Sequence, residues 1–222
     1  MKPPVVVVNF KAYQEAEGDR AFRLAKTCQK VSTETGVPMA VCPPHLWLGA
    51  IARILEMPTY AQSVDPLPPG AGTGYVTPSM LHSTDVAGTL INHSENRIPR
   101  ERIAKAVQMC DELRMQTCVC AVDAAEAAEM AKLGPSAVAV EPPALIGGDI
   151  SVTTADPSIV SGTVESVKAA NPSVFVYCGA GVKTGDDVKA AIDLGSCGVL
   201  VASGVVKSKD PEEVLRDLVS KI

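Results

Sequence analysis

The sequence predicts an α/β protein built from strand–helix units in series, arranged either as a (β/α)8 barrel or as a doubly wound sheet. Two observations predict this class. Short apolar runs without polar alternation recur eight times, as is typical of parallel strands buried on both faces. Segments with the spacing of amphipathic helices lie between these runs. No composition shift marks a linker, so we expect residues 1–222 to form a single domain.

The length of the chain predicts short helices rather than missing strands. A (β/α)8 barrel typically takes about 250 residues, whereas this chain has 222. We therefore expect shortened helices around a complete set of strands. The eight strand candidates are Val5–Phe10, Met39–Cys42, Thr59–Ser63, Gly88–Asn92, Thr117–Val122, Ala137–Glu141, Val174–Cys178 and Gly198–Ala202.

Several of the intervening segments carry the marks of helix starts. Arg20–Ser32 places small and apolar side chains on one face and basic side chains on the other. Asp123 and Thr184 each precede a helical segment as N-cap residues. The pair Asp210–Pro211 supplies another N-cap, followed by a proline at the first helical position. These signals predict helices after the first, fifth, seventh and eighth strands.

Two segments match neither pattern. Val64–Thr77 is rich in proline and glycine, which predicts a protruding loop after the third strand. Pro142–Val152 follows the sixth strand and contains a Pro-Pro and a Gly-Gly pair. We expect a second irregular loop there.

Composition and charge exclude several classes of partner. The formal net charge is −5 and the sequence pI is near 5.3, without a long run of lysine or arginine, so we expect no binding to nucleic acid. No apolar stretch approaches the roughly 18 to 20 residues of a membrane-spanning helix. The first residues also lack the long apolar region of a signal peptide. We therefore expect a cytoplasmic protein without a membrane partner.

The seven cysteines predict buried, reduced thiols rather than disulfides. Their number is odd, no Cys-x-x-Cys pair occurs, and most of them lie within apolar runs. Cys118 and Cys120 share one face of a strand, as a pair of metal ligands would. The three histidines do not complete a usual zinc spacing, so we expect no metal site.

Polar or glycine-rich groups follow five of the strand candidates. They are Asn9–Lys11, His93, Glu141, Cys178–Gly181 and Ala202–Gly204. In a barrel the carboxyl ends of the strands meet at one face, where active sites are built. There these groups would bring together a cation, an imidazole, a carboxylate and free backbone N–H groups. Glycine-rich loops after the seventh and eighth strands are typical of phosphate sites, which indicates a small phosphorylated metabolite as the substrate.

These strand ends resemble the triosephosphate isomerase family, in its short archaeal-type form. The resemblance covers nearly the whole chain. It rests on five motifs in the family's order: Asn9–Lys11, His93–Glu95, Val140–Gly147, Cys178–Gly181 and Ala202–Ser203. It implies a single TIM barrel that interconverts dihydroxyacetone phosphate and D-glyceraldehyde 3-phosphate through an enediolate, in glycolysis and gluconeogenesis. It implies neither a metal nor an organic cofactor.

The resemblance also assigns roles to residues of this chain. Glu141 is implied to be the general base, and His93 the neutral imidazole that polarises the carbonyl, with Ser94–Asn96 opening a helical turn behind it. Pro142–Gly148 matches the family's lid, although its Gly147-Gly148-Asp149 end departs from longer forms. The positions implied to bind the substrate are Asn9, Phe10, Lys11, Ile146, Gly181, Ala202 and Ser203.

Three questions stay open at this point. Gln62–Gly70 resembles a loop that packs against a neighbouring subunit in this family, which implies a homodimer or a homotetramer without deciding between them. Another phosphate-binding barrel, such as a sugar-phosphate or indole-pathway isomerase, would need acid–base groups at other strand ends. An inactive barrel acting as a scaffold would have no physical need to retain Lys11, His93 and Glu141 together.

Overall fold

A ring of parallel strands forms the centre of the molecule in the computed structural model, which describes residues 1–142, 153 and 156–222. Neighbouring strands are paired in the order β2-β1-β8-β7-β6-β5-β4-β3, and a parallel bridge between Val41 and Thr59 joins the two ends. This closure confirms the barrel and excludes the doubly wound sheet. Within the described residues the strands are β1 (Val5–Asn9), β2 (Met39–Cys42), β3 (Tyr60–Ala61), β4 (Gly88–Ile91), β5 (Gln116–Ala121), β6 (Ala137–Val140), β7 (Phe175–Cys178) and β8 (Gly198–Val201).

Two junctions between neighbouring strands of this ring, called seams below, have few residue pairs. Most neighbouring strands share four residue pairs in register, and β3 shares two with β4. In contrast, β7 and β8 share only the pair Cys178–Val199, and the strand pairing between β2 and the β3 side consists of the Val41–Thr59 bridge. The strand predicted at Thr59–Ser63 is shorter in the structure, where β3 spans Tyr60–Ala61 and pairs with β4 through these two residues.

Helices surround the ring, and several of them are short as predicted. Between β3 and β4 the helix has five residues, after β5 it has eight, and directly after β8 it has four. The described helices are α1 (Asp19–Thr35), α2 (His45–Ile54), α3 (Pro78–His82), α4 (Arg100–Glu112), α5 (Ala124–Ala131), α6 (Pro157–Ala170), α7 (Gly185–Asp193), α8 (Ser203–Val206) and α9 (Pro211–Val219), with a 3-10 turn at Gln14–Ala16. None of them has both the length and the apolar character needed to cross a membrane.

The predicted N-caps are confirmed. The side chain of Asp123 accepts a hydrogen bond from the backbone N–H of Glu126 at the start of α5. Thr184 forms a capping box at the start of α7, since each partner's side chain bonds the other's backbone. Asp210 caps α9, where Pro211 is the first helical residue. These caps satisfy N–H groups that have no partner within the helix.

The apolar character of the strands follows from burial on both faces. In β1, Val5 and Val7 pack inside the barrel, whereas Val6 and Val8 pack between the barrel and the helices. All four are completely buried. Burying such a side chain is worth roughly 1.5–3 kcal/mol, so every residue of the strand contributes to the core and no polar alternation is expected.

All seven cysteines are free, as predicted. Six of them are buried and Cys197 is half-buried. Burial raises the pKa of the Cys28 and Cys110 thiols to about 12, so both stay protonated near neutral pH. Inside the barrel, burial above all raises the pKa of Cys120, and the nearby Glu141 carboxylate raises it further.

The loop predicted at Val64–Thr77 contains neither a helix nor a strand. Its two ends are held together, because the Asp65 N–H donates to the Val76 carbonyl over 2.8 Å and the Asp65 carboxylate accepts from the Val76 N–H. Arg102 of α4 contacts the same carboxylate at 3.2 Å, which ties the loop to the barrel's helical layer. The other predicted loop, Pro142–Val152, lies outside the described residues except for Pro142.

Candidate active site

The groups at the strand ends line one cavity at the carboxyl end of the barrel. The predicted site residues that the structure brings together there are Asn9, Lys11, His93, Glu141, Gly181, Ala202 and Ser203. Gly179 and Gly204, from the predicted strand-end groups Cys178–Gly181 and Ala202–Gly204, line the same cavity, and so do Tyr13 and Lys183, which were not predicted. Tyr13 and Lys183 each lie within two residues of a predicted position in the chain, which is the only signal that could have found them.

One of the predicted substrate-binding residues, Phe10, is not among the described residues that line this cavity. Phe10 is completely buried between the barrel and the helices, together with Val6 and Val8. Its side chain packs in the core, and its predicted substrate contact stays a prediction. Ile146, like the lid segment Pro142–Gly148 beyond Pro142, lies outside the described residues.

Glu141 follows β6 and projects a buried carboxylate into the cavity. Its backbone N–H donates to the Ala121 carbonyl over 2.8 Å, which extends the strand pairing by one residue and fixes the side chain's starting point. One carboxylate oxygen, Oε1, lies 3.5 Å from Nε2 of His93. The other, Oε2, is buried and has no hydrogen-bond partner among the described residues. A buried polar atom in this state is costly and is typical of a functional group.

The hydrogen bonds of His93 fix its tautomer. The backbone N–H of Glu95 donates to Nδ1 over 3.2 Å, so Nδ1 is the acceptor and the ring proton of the neutral imidazole sits on Nε2. The Glu95 carboxylate is 3.6 Å from Nδ1, which is beyond hydrogen-bond distance. The imidazole therefore presents an N–H donor to the cavity, beside Glu141.

The turn that carries His93 is held from both sides by Asn92. This residue has a left-handed backbone with φ +61°, and its amide donates to the Cys120 carbonyl and accepts from the Ile98 N–H. The predicted helical opening at Ser94–Asn96 is an isolated turn closed by a bond from the Asn96 N–H to the His93 carbonyl. A helix does not continue from it, and α4 begins only at Arg100.

Lys11 supplies a cation to the same cavity. Its side chain is only 10% exposed, and its ammonium group lies 2.9 Å from Oε1 of Glu95. The backbone N–H of Lys11 donates to Oδ1 of Asn9 over 3.0 Å. Asn9 thus shapes the turn after β1 as well as lining the cavity.

The loops after β7 and β8 form the part of the cavity wall between Glu141, which follows β6, and Lys11, which follows β1. Gly181 has φ +71°, a left-handed conformation that glycine adopts without strain. Ala202 precedes α8 as its N-cap, and its methyl side chain makes no capping hydrogen bond. The first N–H groups of α8 are left uncapped by a side chain, at an end of the helix where partial positive charge favours an anion.

The described residues hold no cluster of three or more histidine, cysteine, aspartate or glutamate side chains arranged as metal ligands. Fold and site together define a (β/α)8-barrel protein in which a carboxylate, an imidazole, an ammonium group and two glycine-rich loops line one cavity.

Comparison with known proteins gives the particular family. The family model described as "Triosephosphate isomerase" matches residues 4–221, so the chain belongs to the triosephosphate isomerase family. The triosephosphate isomerase of Methanothermobacter thermautotrophicus is 46% identical over 219 residues, which cover 99% of this chain and 96% of the relative. That of Methanopyrus kandleri is 48% identical, covering 99% and 98%. That of Methanobrevibacter smithii is 43% identical and covers both chains completely.

These relatives are archaeal proteins of nearly the same length, which confirms the resemblance to the short archaeal-type form. Family membership also decides against the alternative of another phosphate-binding barrel.

Proposed function

We propose that this cavity is where the chain carries out triose-phosphate isomerisation, with Glu141 and His93 as the catalytic residues. The reaction interconverts dihydroxyacetone phosphate and D-glyceraldehyde 3-phosphate, a step of glycolysis and gluconeogenesis. The observation that supports these assignments best is the buried Glu141 carboxylate, with one oxygen beside the His93 imidazole and the other unpartnered.

Glu141 would act as the general base. Its carboxylate removes a proton from C1 of dihydroxyacetone phosphate, and the electron pair of that C–H bond forms the enediolate. The same group, now a carboxylic acid, returns the proton to C2 and gives D-glyceraldehyde 3-phosphate. A buried base close to the reacting carbon suits this step, because water cannot compete for the proton.

His93 would serve the oxygens of the same intermediate. Its Nε2–H donates to the carbonyl oxygen at C2 while negative charge develops there. Proton transfer from the C1 hydroxyl then restores the imidazole as the C2 oxygen becomes a hydroxyl. Because the imidazole is neutral at the start, it can serve both directions of the reaction, while the carboxylate beside it keeps the separate role of base.

Lys11 and the two glycine-rich loops would bind the charged parts of the substrate. The Lys11 ammonium faces both the phosphate and the developing enediolate charge, with Asn9 beside it. The phosphate would lie against the backbone of Gly181, Ala202 and Ser203, and the N–H of Ile146 would complete its contacts when the lid at Pro142–Gly148 closes. None of these steps uses a metal or an organic cofactor.

A coupled assay tests the proposed function directly. Purified protein is mixed with D-glyceraldehyde 3-phosphate in the presence of EDTA and without added metal, and dihydroxyacetone phosphate is detected by a coupling enzyme. Sustained turnover is expected. The absence of turnover in folded protein would contradict the assignment.

Gly179→Ala is expected to lower kcat by about 10- to 100-fold while the fold is retained. A Cβ at Gly179 would lie 2.6 Å from Cγ of Glu141, so the carboxylate must move, and a displacement near 1 Å can cost about 10²-fold in rate. Steady-state kinetics and thermal melting measure the two effects.

Gly162→Ala in α6 is the matched control, because a Cβ there meets nothing within 4 Å. Its kcat should equal that of the parent. If Gly179→Ala behaves like this control, the contact with Glu141 does not position the base.

We further propose that the chain self-associates as a homodimer or a homotetramer through the Val64–Thr77 loop. Large apolar side chains are exposed at its end and just after it: Tyr75 is 47% exposed and Met80 of α3 is 54% exposed. Exposed large apolar side chains in one part of a surface are typical of a protein interface.

Light scattering is expected to give a mass that is a multiple of the 23.1 kDa chain. The double substitution Tyr75→Glu and Met80→Glu should lower this mass, because it places charges in the contact. Ile222→Glu, which changes an exposed apolar residue at the far end of the chain, should leave the mass unchanged. A parent protein that already has the mass of one chain would refute self-association.

We also propose a cytoplasmic location and a single domain over residues 1–222. Seven free cysteines, six of them buried, suit a reducing compartment. The domain proposal is supported by the barrel itself, which uses strands from Val5 to Val201.

A further inference from the structure

One side chain of the third strand's loop holds the turn after the first strand. Gln62 comes directly after β3, and its amide nitrogen donates to the Lys11 carbonyl and to the Cys42 carbonyl, each over 2.9 Å. The Cys42 carbonyl also accepts from the Phe10 N–H over 3.0 Å. Gln62 therefore connects the ends of β1 and β2 at the level of the cavity, although it was not among the predicted site residues.

The backbone that Gln62 holds is strained. Lys11 has φ +48°, in the left-handed region that residues with a Cβ rarely adopt. Such conformations persist only where the surroundings over-determine them. Here two side-chain amides do so, because Oδ1 of Asn9 accepts from the Lys11 N–H and Gln62 donates to the Lys11 carbonyl.

The left-handed backbone determines where the ammonium group goes. The direction of the Cα–Cβ bond depends on φ. If Lys11 changed to a backbone conformation with negative φ, its side chain would therefore point in a different direction. In the observed orientation the side chain is largely buried, and its ammonium group contacts Glu95, which lies beside His93.

We propose that Gln62 is a positioning residue for the isomerase reaction: it holds Lys11 in the left-handed conformation from which the ammonium group reaches the substrate. This proposal rests on the proposed role of Lys11 in binding substrate charge. Gln62 itself is not assigned a substrate contact.

Gln62→Met tests the proposal, because methionine has a similar length and shape but cannot donate a hydrogen bond. We expect kcat/KM and the affinity for 2-phosphoglycolate to fall together by about 10-fold, since two hydrogen bonds to the lysine's turn are lost. Gln62→Glu, which keeps the planar shape and replaces the donor with a carboxylate, should lose at least as much. This second variant provides the test if Gln62→Met does not fold.

Gln29→Met is the matched control. Gln29 also makes a side-chain bond to backbone, accepting from the Glu56 N–H over 2.9 Å, but it lies outside the cavity. Its kcat/KM should match that of the parent. An equal loss in both glutamine variants would indicate a general effect of removing such bonds and would overturn the proposal.

A double-mutant cycle separates positioning from a structural role. In a Lys11→Met background the ammonium group is gone, so adding Gln62→Met should change 2-phosphoglycolate affinity by less than about 2-fold. If Gln62→Met lowers the 2-phosphoglycolate affinity by the same factor in this background as in the parent, Gln62 acts independently of Lys11, and the proposal is wrong.

The cycle also distinguishes this proposal from the one it rests on. If Lys11→Met alone changes neither kcat/KM nor 2-phosphoglycolate affinity, the proposed role of Lys11 fails and the role of Gln62 fails with it. If Lys11→Met is severe and Gln62→Met matches the parent, only the positioning role is refuted.

Discussion

Glu141→Gln is expected to lower kcat by about 10²- to 10⁴-fold with KM within a few-fold of the parent value. The amide keeps the size and the planar shape of the carboxylate but cannot accept the substrate's carbon-bound proton, and general base catalysis typically contributes this factor. The measurement is steady-state kinetics in both directions, with thermal melting to show that the barrel is intact.

Two further variants sharpen this test. Glu141→Asp keeps the charge and moves the carboxylate by roughly 1 Å, which can still cost about 10²-fold in rate. Glu129→Gln removes a glutamate charge on the surface, where Glu129 contacts Lys132 and Arg100, and should leave kcat unchanged. A pure Glu141→Gln enzyme with the parent's kcat would remove Glu141 from the mechanism.

Lys11→Met is expected to lower kcat/KM by about 10²- to 10³-fold, which is the usual cost of losing one group that stabilises developing negative charge. Binding of 2-phosphoglycolate, an anionic mimic of the enediolate, should weaken correspondingly. A neutral analogue without phosphate should be affected far less. Calorimetric titration of both ligands measures this difference.

Lys189→Met serves as the control for charge, since Lys189 pairs with Asp193 on the surface of α7. It should bind 2-phosphoglycolate as the parent does. Equal losses for the charged and the neutral ligand in Lys11→Met would show that Lys11 supports the fold rather than the substrate.

The fold could be predicted from the sequence because its main signals are local. A strand such as Val5–Asn9 is apolar at nearly every position, since its two faces pack on the barrel interior and on the helices. The caps at Asp123 and Thr184 act within four residues of chain. The length of β3 could not be predicted, because it depends on how far distant segments pair with Tyr60 and Ala61.

The site was predictable where a residue's position at a strand end decides its direction. His93 and Glu141 are such cases. Phe10 and Asn9 show how neighbouring positions of one motif point in different directions. Side chains alternate along a strand, so Phe10 faces outward with Val6 and Val8, whereas the buried Asn9 lines the cavity.

Contacts between loops that are far apart in the chain are invisible to this kind of prediction. Gly179 looks like any glycine of a tight turn until the structure places it against Glu141. Gln62 is 51 residues from Lys11, and no spacing rule connects them.

The two seams divide the ring into two arcs of unequal size. One arc comprises β8, β1 and β2, and the other runs from β3 to β7. Lys11, Ala202 and Ser203 belong to the smaller arc, whereas His93 and Glu141 belong to the larger one. A small shear between the arcs would therefore change the distance from Lys11, Ala202 and Ser203 to His93 and Glu141, whereas Gly181, which follows β7, would stay with the larger arc. Local opening concentrates where pairing is sparse, so amide protons at both seams should exchange faster than those within the arcs. Gln62 belongs to the larger arc and donates hydrogen bonds to two carbonyls of the smaller arc. It therefore connects the two arcs at the seam between β2 and β3.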